Sequence, residues 1–191
     1  IGKTHLLLLL YYAVKEDPGL SQKWIPVRFN EEEYSISSIG DFLLRIVEEI
    51  SKDTGDSEAK AILDEAGSMS ADALTDRALS YLHKLRDSGR QILLLIDNFD
   101  RILDQLGEID TARLRDVLMT DGTILLIGGA PSVFEQIINH GQSFYEFFDI
   151  EILEELDSDE VETLIRKRAE LDGRQDLLDQ FDDLRPRILA T

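Results

Sequence analysis

The chain has 191 residues, enough for one domain with a sizeable core, or for one domain and a small piece of a second. Its 39 acidic residues against 20 basic ones give a formal net charge of −19, which speaks against a segment that binds nucleic acid by itself, since phosphate binding needs clustered Lys and Arg. Cysteine is absent, so disulfide and thiolate chemistry are excluded and a reducing, cytoplasmic setting is the simplest one.

In chain order, the first feature is Gly2-Lys3-Thr4, at the mouth of an apolar helix predicted over residues 4–14. The triplet matches the last third of the phosphate-binding loop pattern G-x-x-x-x-G-K-[ST]. Each residue type suits that task. Glycine lets backbone N–H groups close around phosphate, lysine reaches the β- and γ-phosphates, and the threonine hydroxyl takes Mg²⁺. The helix N-terminus adds partial positive charge. His5 follows directly and is a candidate to lie near the nucleotide. The first glycine of the pattern, the strand expected before it and an initiator Met are not in the sequence, so a fragment of a longer protein is expected, one that binds ATP poorly alone. The leucines at 6–10 are too short a run to span a membrane and read as a helix buried under a sheet.

A strand is predicted over 24–29, closed by Asn30-Glu31-Glu32-Glu33. The helical spacing of Phe42, Leu43, Ile46, Val47 and Ile50 predicts a helix over 39–51. A loop at 54–57, a weaker helix to residue 66 and an amphipathic helix over 70–85 follow.

The next feature is Gln91-Ile92-Leu93-Leu94-Leu95-Ile96-Asp97-Asn98-Phe99-Asp100. An unbroken apolar run ending in Asp has the form of a strand buried on both faces, as in a parallel sheet. Asp97 stands at the C-terminal edge, where open α/β sheets place their ligands. A further buried strand is predicted over 123–128, ended by Gly128-Gly129-Ala130-Pro131, with a helix over 132–138. A fourth apolar stretch spans 147–153, and two helices are predicted over 158–171 and 176–181. Strands alternating with helices give a parallel α/β sheet covered on both faces.

These motifs and their order resemble the nucleotide-binding core of a P-loop ATPase of the AAA+/STAND group, over nearly the whole chain. The group includes replication initiators, loaders and bacterial signalling and defence ATPases. The resemblance implies an α/β, three-layer parallel-sheet core over 1–156 with strand order 5-1-4-3-2, strand 1 lying before Ile1, and the start of a helical lid over 157–191. It makes 24–29 the edge strand, 91–96 the Walker B strand and 123–128 the sensor-1 strand. ATP and Mg²⁺ are the implied cofactors, with Gly2, Lys3 and Thr4 on the phosphates and Thr4 and Asp97 on the metal.

Three features depart from the family pattern. Many relatives carry Glu after the Walker B Asp to orient the attacking water. Here that residue is Asn98, whose amide can hold a water but cannot take its proton. The base is then Asp100, or one of Glu31, Glu32 and Glu33 past the edge strand. Asn30 there also resembles the polar residue that gates the catalytic glutamate in AAA+ proteins. The sensor-1 strand ends in glycines rather than a polar side chain, leaving backbone N–H groups or Ser132 to substitute. In the lid, Pro186 fits a residue that approaches adenine and Arg187 one that senses the γ-phosphate, with Arg185 in place of the family's glycine; a helix beginning at proline accounts for the same residues. Arg101, Arg113 and Arg115 lie where oligomeric relatives supply an arginine finger, and Arg113 and Arg115 read equally as surface helix charges. His5, His83 and His140 have no metal-ligand spacing.

The expected function is an ATP-binding, slowly ATP-hydrolysing regulatory domain of STAND type. Its nucleotide state would control assembly of attached domains, with homo-oligomers forming through the ATPase domain. Two alternatives stand beside it: a DNA-handling loader or initiator ATPase whose DNA-binding parts lie elsewhere, and a non-hydrolysing, nucleotide-gated interaction module.

Overall fold

Three short parallel strands organise the chain: β1 (Trp24–Phe29), β2 (Gln91–Ile96) and β3 (Ile124–Gly128), in the order β1-β2-β3. The structure is a computed structural model that describes residues 2–29, 36–120 and 122–174. The architecture is α/β, and the three expected strands stand side by side. The chain divides into two compact units, one over Gly2–Ile150 and one beginning at Glu151.

Local chemistry accounts for the helices around the sheet. Helix α1 (Lys3–Glu16) starts at Gly2, whose φ of 109° is left-handed backbone that glycine adopts without steric cost. Helix α2 (Pro18–Lys23) was not expected; Asp17 caps it, accepting from the N–H groups of Gly19 and Leu20, and Pro18 occupies the first turn. Ser38, Asp56 and Ser70 cap α3 (Ile39–Thr54), α4 (Ser57–Ala66) and α5 (Ala71–Asp87) in the same way. Helix α6 (Phe99–Thr120) is broken at Gly107, where φ is 69° and ψ 174°. The helix expected over 132–138 is only the turn α7 (Glu135–Ile138), since 131–133 lie in exposed bends. In the second unit, α8 (Ser158–Leu171) opens with a full capping box between Asp157 and Glu160.

Strand register assigns the two faces of the sheet. Ile25 pairs with Ile92, and Ile92 with Ile124. Ile25, Val27, Phe29, Ile92, Leu94, Ile96 and Ile124 therefore point one way, into the main core with Phe42, Ile46 and Ile50 of α3 and with residues of α4 to α6. Leu93 and Leu95 point the other way, against Leu7 and Val14 of α1. Their β3 partners Leu125 and Ile127 share that face but are 49% and 36% exposed, as are Leu6 and Leu9 of α1 at 44% and 55%.

Two expectations are corrected. The sheet has three strands among the described residues rather than the four that the order 5-1-4-3-2 leaves when strand 1 lies before Ile1. The apolar stretch at 147–153 is not a strand: it ends a run of turns and continues as irregular chain. A strand needs a neighbour for its N–H and C=O groups. Among the described residues no strand pairs with this stretch. Phe147 and Phe148 instead pack with Phe144, which stacks on Phe148 at a centroid separation of 5.2 Å. Ile152 is left 75% exposed.

Candidate functional site

At the C-terminal end of β2, Asp97 is buried, and its Oδ2 accepts a hydrogen bond from the Thr4 hydroxyl of α1. Its Oδ1 accepts from the N–H of Asn98 at 3.0 Å. The two motifs singled out in the sequence therefore meet in space. The Thr4 hydroxyl donates its single proton to Asp97.

The end of β3 closes over the same carboxylate. The Gly129 N–H donates to Ile96 O at 2.8 Å, and the Phe99 N–H donates to Gly129 O at 2.9 Å. A Cβ at Gly129 would lie 3.1 Å from Asp97 Oδ1 and 3.7 Å from Lys3 Cβ, so this glycine is where Lys3, Asp97 and the end of β3 converge. Gly128 is equally constrained: a Cβ there would lie 3.1 Å from Phe99 Cβ. Close packing thus accounts for glycine at both positions. The Gly129 amide, committed to Ile96, is not the substitute donor expected at this position. Ser132, the other expected substitute, is exposed.

Gly2 has no side chain to cap α1, so the first-turn N–H groups of this 14-residue helix receive no acceptor from a cap. His5 is exposed on that turn. Asp100 lies in the first turn of α6, and its Oδ1 is shielded from solvent without a hydrogen-bond partner among the described residues. A buried acceptor left unsatisfied is costly and calls for a reason. One helical turn on, Asp104 accepts from Gln136 of α7. Asn98 sits beside Asp97 with φ of 52°.

Glu31 and Glu32, with Asn30 and Glu33, lie outside the described residues, as do Pro186, Arg187 and Arg185. Among the arginines, Arg115 is committed within its own chain, donating to Ser143 O with its guanidinium over the Phe147 ring, which removes it as a finger. Arg113 lies 3.5 Å from both Asp72 and Asp110. Arg101 is exposed near the start of α6.

Among the described residues no group of three His, Cys, Asp or Glu side chains could hold an ion. One carboxylate and one hydroxyl beside a lysine suit Mg²⁺, which keeps several waters and takes its remaining ligands from substrate phosphates. Among the described residues no helix is long and apolar enough to cross a membrane. Comparison with protein-family models, with curated proteins and with solved structures returns no match.

Proposed function

We propose that this chain is part of a P-loop ATPase of the AAA+/STAND group, which binds ATP with Mg²⁺ and hydrolyses it slowly to regulate the assembly of attached domains. The observation that carries the reading is the Thr4–Asp97 hydrogen bond. Two short motifs, each of low specificity alone, converge at the C-terminal end of a parallel strand, beside a helix N-terminus. The adjacency of β1, β2 and β3 supports the 2-3-4 part of the strand order, and the strand that precedes α1 in that order would pair at the exposed edge of β3.

In this reading Lys3 neutralises charge on the β- and γ-phosphates. Thr4 and Asp97 hold Mg²⁺, which would neutralise charge on the phosphate oxygens as it develops. Gly2 and the first turn of α1 offer N–H groups to the phosphates. Asp100, three residues after Asp97 in the first turn of α6, is the base favoured among the described residues. Glu31 and Glu32 stay as the alternative base. Pro186 and Arg187 would meet the nucleotide from the lid, and His5 lies at the edge of the site. Homo-oligomerisation through the domain and a cytoplasmic setting belong to the same proposal.

A second reading, a nucleotide-gated scaffold without turnover, is favoured by Asn98 in place of a glutamate. ATP turnover by the full-length protein separates the two. Turnover lost in Asp97→Ala and in either Asp100→Asn or Glu32→Gln supports the ATPase. Mg-ATP binding without turnover supports the scaffold. No Mg-ATP binding overturns both.

A further inference from the structure

We propose that Asn98 is a positioning residue that works through its backbone. With the chain anchored on both flanks, its left-handed φ lets α6 begin while the preceding peptide plane keeps the Asn98 N–H on Asp97, which holds that carboxylate in place for Thr4. The inference rests on reading Asp97 as the carboxylate on the Mg²⁺ side of the site.

Asn98, with φ of 52°, is one of two non-glycine residues with positive φ in the described chain. Such a residue is strained and persists where its surroundings over-determine it. Here they do. Gly129 N–H to Ile96 O at 2.8 Å and Phe99 N–H to Gly129 O at 2.9 Å tie the chain to the end of β3 on both sides of Asp97-Asn98. Arg101 N–H to Asn98 O at 3.1 Å opens α6. Between those anchors the backbone passes from an extended strand into a helix within two residues, and the left-handed turn at Asn98 makes that passage.

The Asp97–Asn98 peptide, kept in its plane by that turn, fixes Asp97. Oδ1 takes the Asn98 N–H at 3.0 Å, Oδ2 takes the Thr4 hydroxyl, and the bare Cα face of Gly129 lies against Oδ1. Neither oxygen is free to rotate away. Asparagine is several-fold enriched in left-handed backbone, whereas β-branched residues are outliers there. The residue type at 98 therefore answers to the backbone, and the side-chain amide is dispensable for holding Asp97.

The test is a Mg²⁺ titration of a fluorescent ATP analogue bound to the full-length protein, comparing wild type, Asn98→Gly, Asn98→Ala and Asn98→Val, with analogue binding in EDTA as the parallel readout. Glycine keeps the backbone and should move the Mg²⁺ midpoint less than about threefold, while valine should raise it about tenfold or more, the range for groups that orient a metal ligand. Binding in EDTA should change less than about threefold in every variant, a pattern that unfolding would not give. If valine prevents folding, alanine decides, with a midpoint between those of wild type and the tenfold shift. A glycine variant as impaired as valine, or no shift in any variant, overturns the proposal while the reading of Asp97 stands. A wild-type protein without Mg²⁺-dependent binding overturns both.

Discussion

Thr4 and Asp97, 93 positions apart, share a hydrogen bond that joins the first turn of α1 to the end of β2. The bond is side chain to side chain, so it can be cut without disturbing either element. Thr4→Val keeps the shape and removes the hydroxyl. Mg-ATP affinity should fall by about tenfold to a hundredfold, the range for lost metal-orienting groups. Stability should fall by about 1–3 kcal/mol, because the buried Asp97 carboxylate loses a donor. Calorimetric titration and urea unfolding of the same variant check both. A variant that binds normally would remove Thr4 from the site.

The two glycines ending β3 should respond differently to one added methyl group. Gly128→Ala drives a Cβ against the Phe99 Cβ and ring, at 3.1 and 3.2 Å, in a packed aromatic core. Overpacking of this kind costs about 1–3 kcal/mol, readable as a lower urea midpoint. Gly129→Ala meets Asp97 Oδ1 at 3.1 Å, and its main effect should be on the Mg²⁺ dependence of binding. Equal stability losses with no change in Mg²⁺ dependence would contradict the placement of Gly129 in the site.

The catalytic base can be sought by amide substitution. Asp100→Asn should leave Mg-ATP affinity within about threefold and lower turnover by about a hundredfold or more, the share general base catalysis supplies. Because Asp100 Oδ1 has no partner among the described residues, the amide should also leave stability equal or slightly raised. Single-turnover kinetics would expose the alternative, in which Glu32→Gln abolishes turnover and Asp100→Asn does not.

Glu58 provides a pH-dependent prediction outside the site. Its carboxylate lies 2.6 Å from Lys84 and 2.9 Å from Arg77, and these cations, Lys84 foremost, hold it below the usual carboxylate range. A carboxylate whose folded-state value is depressed stabilises the fold above its unfolded-state value, and that stability is lost as the pH falls through the folded one. The group is about a third exposed, so the contribution is at most about 1 kcal/mol. Glu58→Gln should destabilise at neutral pH, and that penalty should shrink in acid as the pH falls through the depressed folded-state value. An equal difference at neutral and acid pH would contradict the assignment.

Much of the fold was legible because its signals are dense and local. The buried run before Asp97, the short apolar stretch of β1 and the helical spacing of Phe42, Leu43, Ile46, Val47 and Ile50 each mark one element. Gly2-Lys3-Thr4 and Asp97 were visible as motifs; that they touch is a property of the folded chain. The backbone at Asn98 was not legible, since residue type permits a left-handed φ without requiring it. Gly128-Gly129 could be seen as an unusual strand end, but the reason lies in Phe99 and Asp97 pressing on them from the β2–α6 junction. Arg115 illustrates the same limit, its partner Ser143 O being set by the turn-rich segment after α7. The stretch at 147–153 misled because apolar character does not by itself make a strand: Phe147 and Phe148 pack with Phe144, while Ile150, Ile152 and Leu153 are exposed.

The most direct measurement is a double-mutant cycle on Mg-ATP binding by the full-length protein, with wild type, Thr4→Val, Asp97→Asn and the double variant. The account predicts that each single change weakens binding in the presence of Mg²⁺ and that the double variant is little worse than either one, because both residues serve one metal-centred unit. Full additivity of the two losses, or wild-type binding that is indifferent to Mg²⁺, would contradict it.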